Sequence, residues 1–321
     1  MPIKLPSDLP AFHQLEAEGV QLIEEDAAQR QDIRPMRIGL VNLMPDKIKT
    51  ETQLARLLGA TPLQIELVLL TTASYRPGNV EPGHLQRFYH TLREVRDEKF
   101  DGLITTGAPV ELMPFEDVKY WRELADMFDW SRSHVHTVFN ICWGAQAALY
   151  HFHRVPKHTL PVKRFGIFWH RVATGSGARS PLLRGFDDEF LVPVSRHTEV
   201  RRSDLPEGDD IRVLANSPVA GLCLVEDAKH RDVFMFNHLE YDTYTLDHEY
   251  RRDREKREDV EVPLNYYPSD EPTRVPVNRW RAYAHLLFGN WINEMYQTTP
   301  FDMDNIGTGK LRDWRVASAD C

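Results

Sequence analysis

Between Met36 and Phe152, short apolar runs alternate four times with stretches whose apolar residues recur at helical spacing. The runs are RIGLVNL (37–43), LQIELVLL (63–70), DGLITTG (101–107) and HVHTVFNIC (134–142). The intervening stretches are KIKTETQLARLLG (47–59), GHLQRFYHTLREVRDEKF (83–100), FEDVKYWRELADMFDW (115–130) and WGAQAALYHF (143–152). Apolar residues at consecutive positions mark strands covered on both faces, and strand–helix alternation is how a chain covers them. The pattern predicts an α/β fold on a doubly wound parallel sheet.

After residue 155 the rhythm loosens. Shorter strand candidates at 165–172, 189–195, 211–215, 221–226 and 232–238 predict an antiparallel extension before the sheet resumes. Helices at 243–258 and 277–297 follow, the second rich in Trp and Phe. Residues 1–35 are polar and punctuated by proline, with one short amphipathic helix expected around Leu15–Glu25. They read as an N-terminal arm, 36–300 as a single α/β domain, and 301–321 as a polar tail with no assigned role. The arm and the Trp-rich last helix are each candidates for a subunit contact.

Composition removes several classes of function. The net charge of −9 provides no basic stripe for nucleic acid. The densest basic stretch, RRDREKRED (251–259), is interleaved with acids and reads as a solvated helix face. Three widely spaced cysteines make neither a disulfide framework nor a structural zinc site. The opening MPIKLPSDLP has no apolar signal core, and no stretch approaches the roughly 18 apolar residues that span a bilayer. A cytoplasmic location without a membrane partner is expected. No phosphate-binding glycine loop, HExxH or paired CxxC occurs, and the two histidines of HFH (151–153) point to different sides of a helix. Neither a metal nor a bound cofactor is expected.

One position carries the chemistry. In VFNICWGAQ (138–146), Cys142 falls where the fourth strand turns into a helix, at the carboxyl end of the sheet where open α/β folds place their crevice. Gly144 and Ala145 leave room for a tight nucleophile elbow, and the positive end of the helix favours a thiolate. The plain alternative is a buried structural cysteine. That is the reading for Cys223 in the apolar strand GLCLVED, while Cys321 is terminal. A thiolate needs a base, and MFNHLEYD (235–242) runs a strand directly into His238 and Glu240. Residues two apart in extended chain face the same side, so Glu240 can orient the imidazole. For the oxyanion, TTGAPVE (105–111) offers the amides of Gly107 and Ala108, and the amide of Trp143 adds another donor.

Taken together, several segments resemble the homoserine O-acyltransferases of methionine biosynthesis, the homoserine transsuccinylase type. They are VNLMPDKIKTETQ (41–53), TTGAPVE, FNICWGAQAA (139–148), VKRFGIF (162–168), SR (195–196), NHLEYD (237–242), NYYP (265–268) and LLFGNWINEMYQTTP (286–300). The resemblance spans nearly the whole chain. It implies a flavodoxin-like doubly wound sheet of the class I glutamine amidotransferase-like type, and acyl transfer from acyl-CoA to the hydroxyl of L-homoserine through an acyl-cysteine. Carried over by motif, Cys142 is the nucleophile, His238 the base and Glu240 its partner. Lys163, Ser195 and Arg252 match substrate-binding positions, and Arg252 offers a fork suited to a carboxylate. By residue type alone, Lys163 and Arg252 would be surface charges. One departure is His-Leu-Glu where many relatives read His-Pro-Glu; Leu239 preserves the alternation. The resemblance also implies a homodimer.

Glu111 bears on the donor. In the family a glutamate at its position accompanies acetyl donors and a glycine accompanies succinyl donors. The physics agrees, because a succinyl carboxylate beside Glu111 sets like charges together in a poorly solvated pocket. Acetyl-CoA is therefore the expected co-substrate. The alternatives are succinyl-CoA as donor, serine as acceptor, a cysteine hydrolase or glutamine amidotransferase of the same fold, or a silent binding protein.

Overall fold

The computed structural model describes residues 3–18, 20, 22–23, 34–74, 82–175, 177, 180–208 and 210–308. The chain opens with β1 (Ile3–Lys4), α1 (Pro10–Ala17) and β2 (Leu22–Ile23). It then enters the alternation as β3 (Met36–Val41), α2 (Lys47–Leu58), β4 (Ile65–Leu70), α3 (Pro82–Phe88), β5 (Tyr89–His90), β6 (Phe100–Thr105), α4 (Trp121–His134), β7 (Val135–Ile141) and α5 (Trp143–His153). The second half holds β8 (His158–Val172), β9 (Glu189–Glu199), β10 (Ile211–Ser217), β11 (Gly221–Asp227), β12 (Asp232–Met235), α6 (Thr245–Lys256) and α7 (Arg281–Thr298).

Among the described residues the strands make one twelve-stranded sheet in the order β2-β1-β4-β3-β6-β7-β12-β11-β10-β8-β9, with β5 beside β4. The pairs from β2 through β12 are parallel; those from β12 through β9 are antiparallel. This is the expected doubly wound sheet with its antiparallel extension. Helices cover both faces, which is why the strands read as unbroken apolar runs. Along β7, Phe139 and Ile141 enter one core while Val138 enters the other; Phe234 in β12 is likewise opposed to Val233 and Met235.

α7 lies against the first core. Phe288, Trp291, Ile292 and Met295 are buried, and the Phe288 ring stacks 5.0 Å from Phe139. Each such side chain contributes roughly 1.5–3 kcal/mol of burial. The apolar face of this helix is therefore used inside the fold.

Local differences from the sequence reading have local causes. The helix expected over 83–100 ends at Phe88. Tyr89 is drawn into the core, where its hydroxyl donates to Glu51 at 2.6 Å and accepts from Asn42 at 2.9 Å, and Tyr89–His90 pair with Leu69–Leu70. The Glu94 carboxylate then folds back onto the Thr91 amide and hydroxyl, closing a turn. The N-terminal helix sits earlier than expected, started by Pro10 at its first turn; Glu24 and Glu25 lie outside the described residues. The strand expected over 232–238 leaves the ladder after Met235, because His238 donates its amide to Pro193 O instead. Within 301–308, Ile306 is buried and its carbonyl accepts from Lys99. Cys321 lies outside the described residues.

The topology opens a crevice. β3 has β4 on one side and β6 on the other, so the connections leaving its carboxyl end diverge. The segments after β3 and β6 are stitched together there: Leu43 N donates to Thr106 Oγ1 at 2.8 Å, and Thr106 N to Val41 O at 3.1 Å. The next strand over, β7, ends at Cys142.

Candidate active site

Cys142 occupies a strained turn, with φ 51° and ψ −116°, between β7 and α5. A non-glycine residue in such a conformation costs on the order of 1–3 kcal/mol and persists only where its surroundings enforce it. Here the Cys142 amide donates to Met235 O at 2.7 Å, and its carbonyl accepts from Gln146 N at 3.2 Å. Gly144 makes the turn possible, since a Cβ there would lie 2.6 Å from Thr106 O. Gly107 keeps the space beside the sulfur: a Cβ on it would lie 3.2 Å from Cys142 Cβ and 3.7 Å from Sγ. Among the described residues the amides of Gly107, Ala108 and Trp143 donate to no protein acceptor, which leaves them available as donors.

His238 faces Cys142 from the end of β12. Its Nδ1 meets Glu240 Oε1 at 2.6 Å, which leaves Nε2 uncommitted, and the ring lies within the electrostatic reach of Cys142. Burial acts to lower the imidazole pKa, but the Cys142 thiolate and the Glu240 carboxylate override it and lift the group well above its ordinary 6.5. The imidazole is thus favoured in its protonated form beside the Cys142 sulfur. Tyr241 stacks on the imidazole with centroids 4.1 Å apart and an 18° interplanar angle. Beneath them Arg196 is fully buried, donating to Asn237 Oδ1 at 2.9 Å and to backbone carbonyls. Burial lowers its pKa and the charge of the Cys142 thiolate opposes that, so a guanidinium lies within the field of the nucleophile.

A second network starts where the first ends. Tyr241 donates its hydroxyl to Glu249 Oε1 at 2.7 Å, and Ser195 donates to Glu249 Oε2 at 2.6 Å. Lys163 lies 3.7 Å from Glu249 and donates to Asp253 at 3.3 Å; Arg252 holds the other oxygen of Asp253 at 2.8 Å. Burial would raise the Asp253 pKa, but Arg252 and Lys163 together hold it below the usual carboxylate range. The three residues matched to substrate binding are thus joined through two carboxylates. Lys163 is only 18% exposed, unlike a surface charge, whereas Arg252 is 57% exposed. Glu111 is tied to the same strand as Ser195, its Oε2 accepting from His197 N at 2.7 Å.

A family model for homoserine O-succinyltransferase matches residues 2–301. The chain belongs to the homoserine O-succinyltransferase family. A relative from Brucella canis named homoserine O-acetyltransferase is 55% identical over 96% of this chain and 99% of its own. Solved structures show the fold alone. A glutamine amidotransferase from Thermotoga maritima superposes with a TM-score of 0.52 at 12% identity, covering 82% of this chain and 99% of its own. One from Methylobacillus flagellatus superposes with a TM-score of 0.51 at 13% identity, covering 82% and 95%.

Within this homoserine O-succinyltransferase-family chain, Tyr241, Glu249, Asp253 and Arg196 are site components that sequence reading passed over. Glu249 and Asp253 are one helical turn apart on α6, so an i, i+4 acidic pair beside Arg252 was a usable signal. The stretch 251–259 is mostly solvated as expected, except that Asp253 turns inward to Lys163. Cys223 is core: burial pushes its thiol up to about 12, against Asn237 and Arg196. His151 and His153 diverge to Asp129 and Asp227.

Proposed function

We propose that this chain moves an acetyl group from acetyl-CoA to the side-chain hydroxyl of L-homoserine, through an acyl-cysteine at Cys142. The observation that carries the reading is the buried Cys142–His238–Glu240 array beside unused amides, backed by a charged cluster fitted to an amino acid. The Cys142 thiolate attacks the thioester carbonyl, and the oxyanion rests on the amides of Gly107, Ala108 and Trp143. The imidazolium of His238 gives its proton to the departing CoA sulfur, so CoA leaves as thiol and His238 is neutral. Acylation also removes the thiolate charge that had raised the imidazole, which leaves His238 a competent base. It takes the hydroxyl proton of homoserine as that oxygen attacks; collapse expels Cys142 as thiolate and restores the ion pair. One thioester is exchanged for another in the first half, and ping-pong kinetics follow. With Cys142 6% and His238 4% exposed, the acyl-enzyme is shielded from hydrolysis.

The acceptor's carboxylate is assigned to Lys163, Ser195 and Arg252, and its ammonium to Glu249. Glu111 is assigned the choice of donor. It stands four residues from Gly107, at most about 14 Å along the chain, and its carboxylate is fixed on β9. A succinyl carboxylate entering there would meet like charge. The acetyltransferase name of the 55%-identical relative supports acetyl-CoA, whereas the family's own description favours succinyl-CoA as the alternative donor. A cytoplasmic homodimer is the setting we assign, on the family resemblance. No helix among the described residues is long and apolar enough to cross a membrane.

The test is thiol release with homoserine, comparing acetyl-CoA and succinyl-CoA on wild type and Glu111→Gly. Acetyl preference that relaxes at least about tenfold in the variant is expected. A wild-type preference for succinyl-CoA removes the donor assignment and leaves the Cys142 chemistry standing; no thiol release from either donor removes the acyl transfer.

A further inference from the structure

The loop carrying Glu111 is packed at its base, where Ala108 is buried and Val110 meets the core, but its tip is poorly held by its own side chains. Leu112 and Met113 are 63 and 40% exposed, and local bonds from Val110 N to Ala108 O and from Met113 N to Val110 O only shape the turn. A carboxylate that discriminates between acyl groups has to stay put, because a charge that swings away loses its repulsion steeply with distance. The single bond from His197 N holds the tip of Glu111, but not the backbone behind it.

Lys157 supplies that hold. Its ammonium donates to the carbonyls of both Glu111 and Met113, each at 2.5 Å, spanning the loop's turn. It lies over the Phe115 ring at 4.4 Å; Phe115 in turn stacks on Tyr150 at 4.6 Å and packs 5.8 Å from Trp143. Tyr150 and Trp143 belong to α5, the helix that begins at the nucleophile. The ammonium is half-desolvated, and burial draws it down to about 8 against the pull of Glu111 and Glu116. A lysine bearing that cost, with two carbonyls and a ring as partners, is built into the structure rather than draped over it.

We infer that Lys157 is a positioning residue for donor selection, holding the Glu111 loop in register with Cys142. The inference rests on the acyl-transfer reading above. It makes selectivity a property of three groups: the Glu111 charge, the His197 amide that fixes its carboxylate, and the Lys157 clamp that fixes its backbone.

The experiment uses Lys157→Met, which keeps the stem and removes the donors, and Lys157→Arg, whose guanidinium can still donate to two carbonyls. In Lys157→Met the ratio of kcat/KM for acetyl-CoA over succinyl-CoA should fall at least fivefold, toward that of Glu111→Gly, and Lys157→Arg should recover most of it. Cleavage of the folded protein by thermolysin at Leu112–Met113 should quicken in Lys157→Met and return in Lys157→Arg, with no substrate present. Iodoacetamide labelling of Cys142 should stay within twofold throughout, which separates loop release from damage to the nucleophile. An unchanged ratio in Lys157→Met, or both donors slowed by one common factor, overturns the inference while acyl transfer stands. A wild type that releases no thiol fails at the earlier step and takes this inference with it.

Discussion

The parallel and antiparallel halves of the sheet divide the work. The parallel half ends in backbone devices: the strained Cys142 turn, the unused amides of Gly107, Ala108 and Trp143, and a glycine that keeps the space beside the sulfur clear. The antiparallel half contributes the groups assigned above to recognition: Lys163 on β8, and Ser195 and the backbone amide of His197 on β9. His238 belongs to the seam, at the end of β12, whose one neighbour is parallel β7 and the other antiparallel β11. Chemistry needs positions that cannot move, and a strand buried on both faces provides them. Recognition needs charge within reach of solvent, which the partly exposed β8 can display at Lys163. Substitutions at the Cys142 turn in the first half should therefore abolish turnover, whereas substitutions at Glu111 and in the second half should mainly alter which molecules are used.

The largest expected contrast is between two cysteines, one in each half. Cys142→Ala should lower thiol release by at least about a thousandfold. Cys223→Ala, in β11, should leave kcat within about twofold, and peptide-resolved mass spectrometry after iodoacetamide treatment of wild type should find Cys142 labelled and Cys223 untouched. Labelling of Cys223 at a comparable rate would break the comparison, because its buried, raised thiol is the basis for calling that half chemically silent.

At the seam, Glu240→Gln should lower kcat/KM by about a thousandfold, since the imidazole loses the carboxylate that orients and charges it. The same change has a signature in stability. His238 has a folded pKa raised above its unfolded value, so its contribution is complete below about pH 6.5 and is lost as pH climbs through the raised folded value. Removing the Glu240 charge brings the folded value down. The difference in thermal midpoint between wild type and Glu240→Gln should be widest near pH 6 and close as the pH rises. A loss of activity below tenfold would mean that the Tyr241 stack alone orients the ring.

The same division explains what could be read without coordinates. Strands covered on both faces leave unbroken apolar runs, so β3, β4, β6 and β7 were legible, and with them the crevice and Cys142 at its edge. His238 and Glu240 were legible because two-residue spacing puts them on one side of an extended chain. Tyr241 was not, since a stack on a neighbouring ring depends on how the chain turns after leaving β12. Glu249 and Asp253 were hidden in a charged helix whose outward residues dominate its composition. Lys157 was invisible for a different reason: it acts on backbone carbonyls, and no side-chain pattern marks them. The helix misplaced over 83–100 failed through tertiary override, the core taking Tyr89 where local propensity favoured continuing the turn.

The smallest expected effect tests the outer end of the antiparallel half. Arg252 is the most exposed member of the network assigned to the acceptor, and its partner in the structure is Asp253, to which both Nε and an Nη atom are directed. Exposed pairs of this kind are worth about 0–1 kcal/mol, so Arg252→Lys should leave the thermal midpoint unchanged. In the free protein Asp253 already occupies the guanidinium, and a substrate carboxylate has to share it with that residue. Lysine retains the charge but cannot form the fork. The expected result is a rise of a few-fold in KM for homoserine, with kcat and the iodoacetamide reactivity of Cys142 unaltered. A rise above about a hundredfold, more than 2.7 kcal/mol, exceeds what a half-solvated contact supplies. It would mean that α6 closes over the acceptor and buries Arg252 during turnover, so that the antiparallel half moves where the parallel half stays fixed.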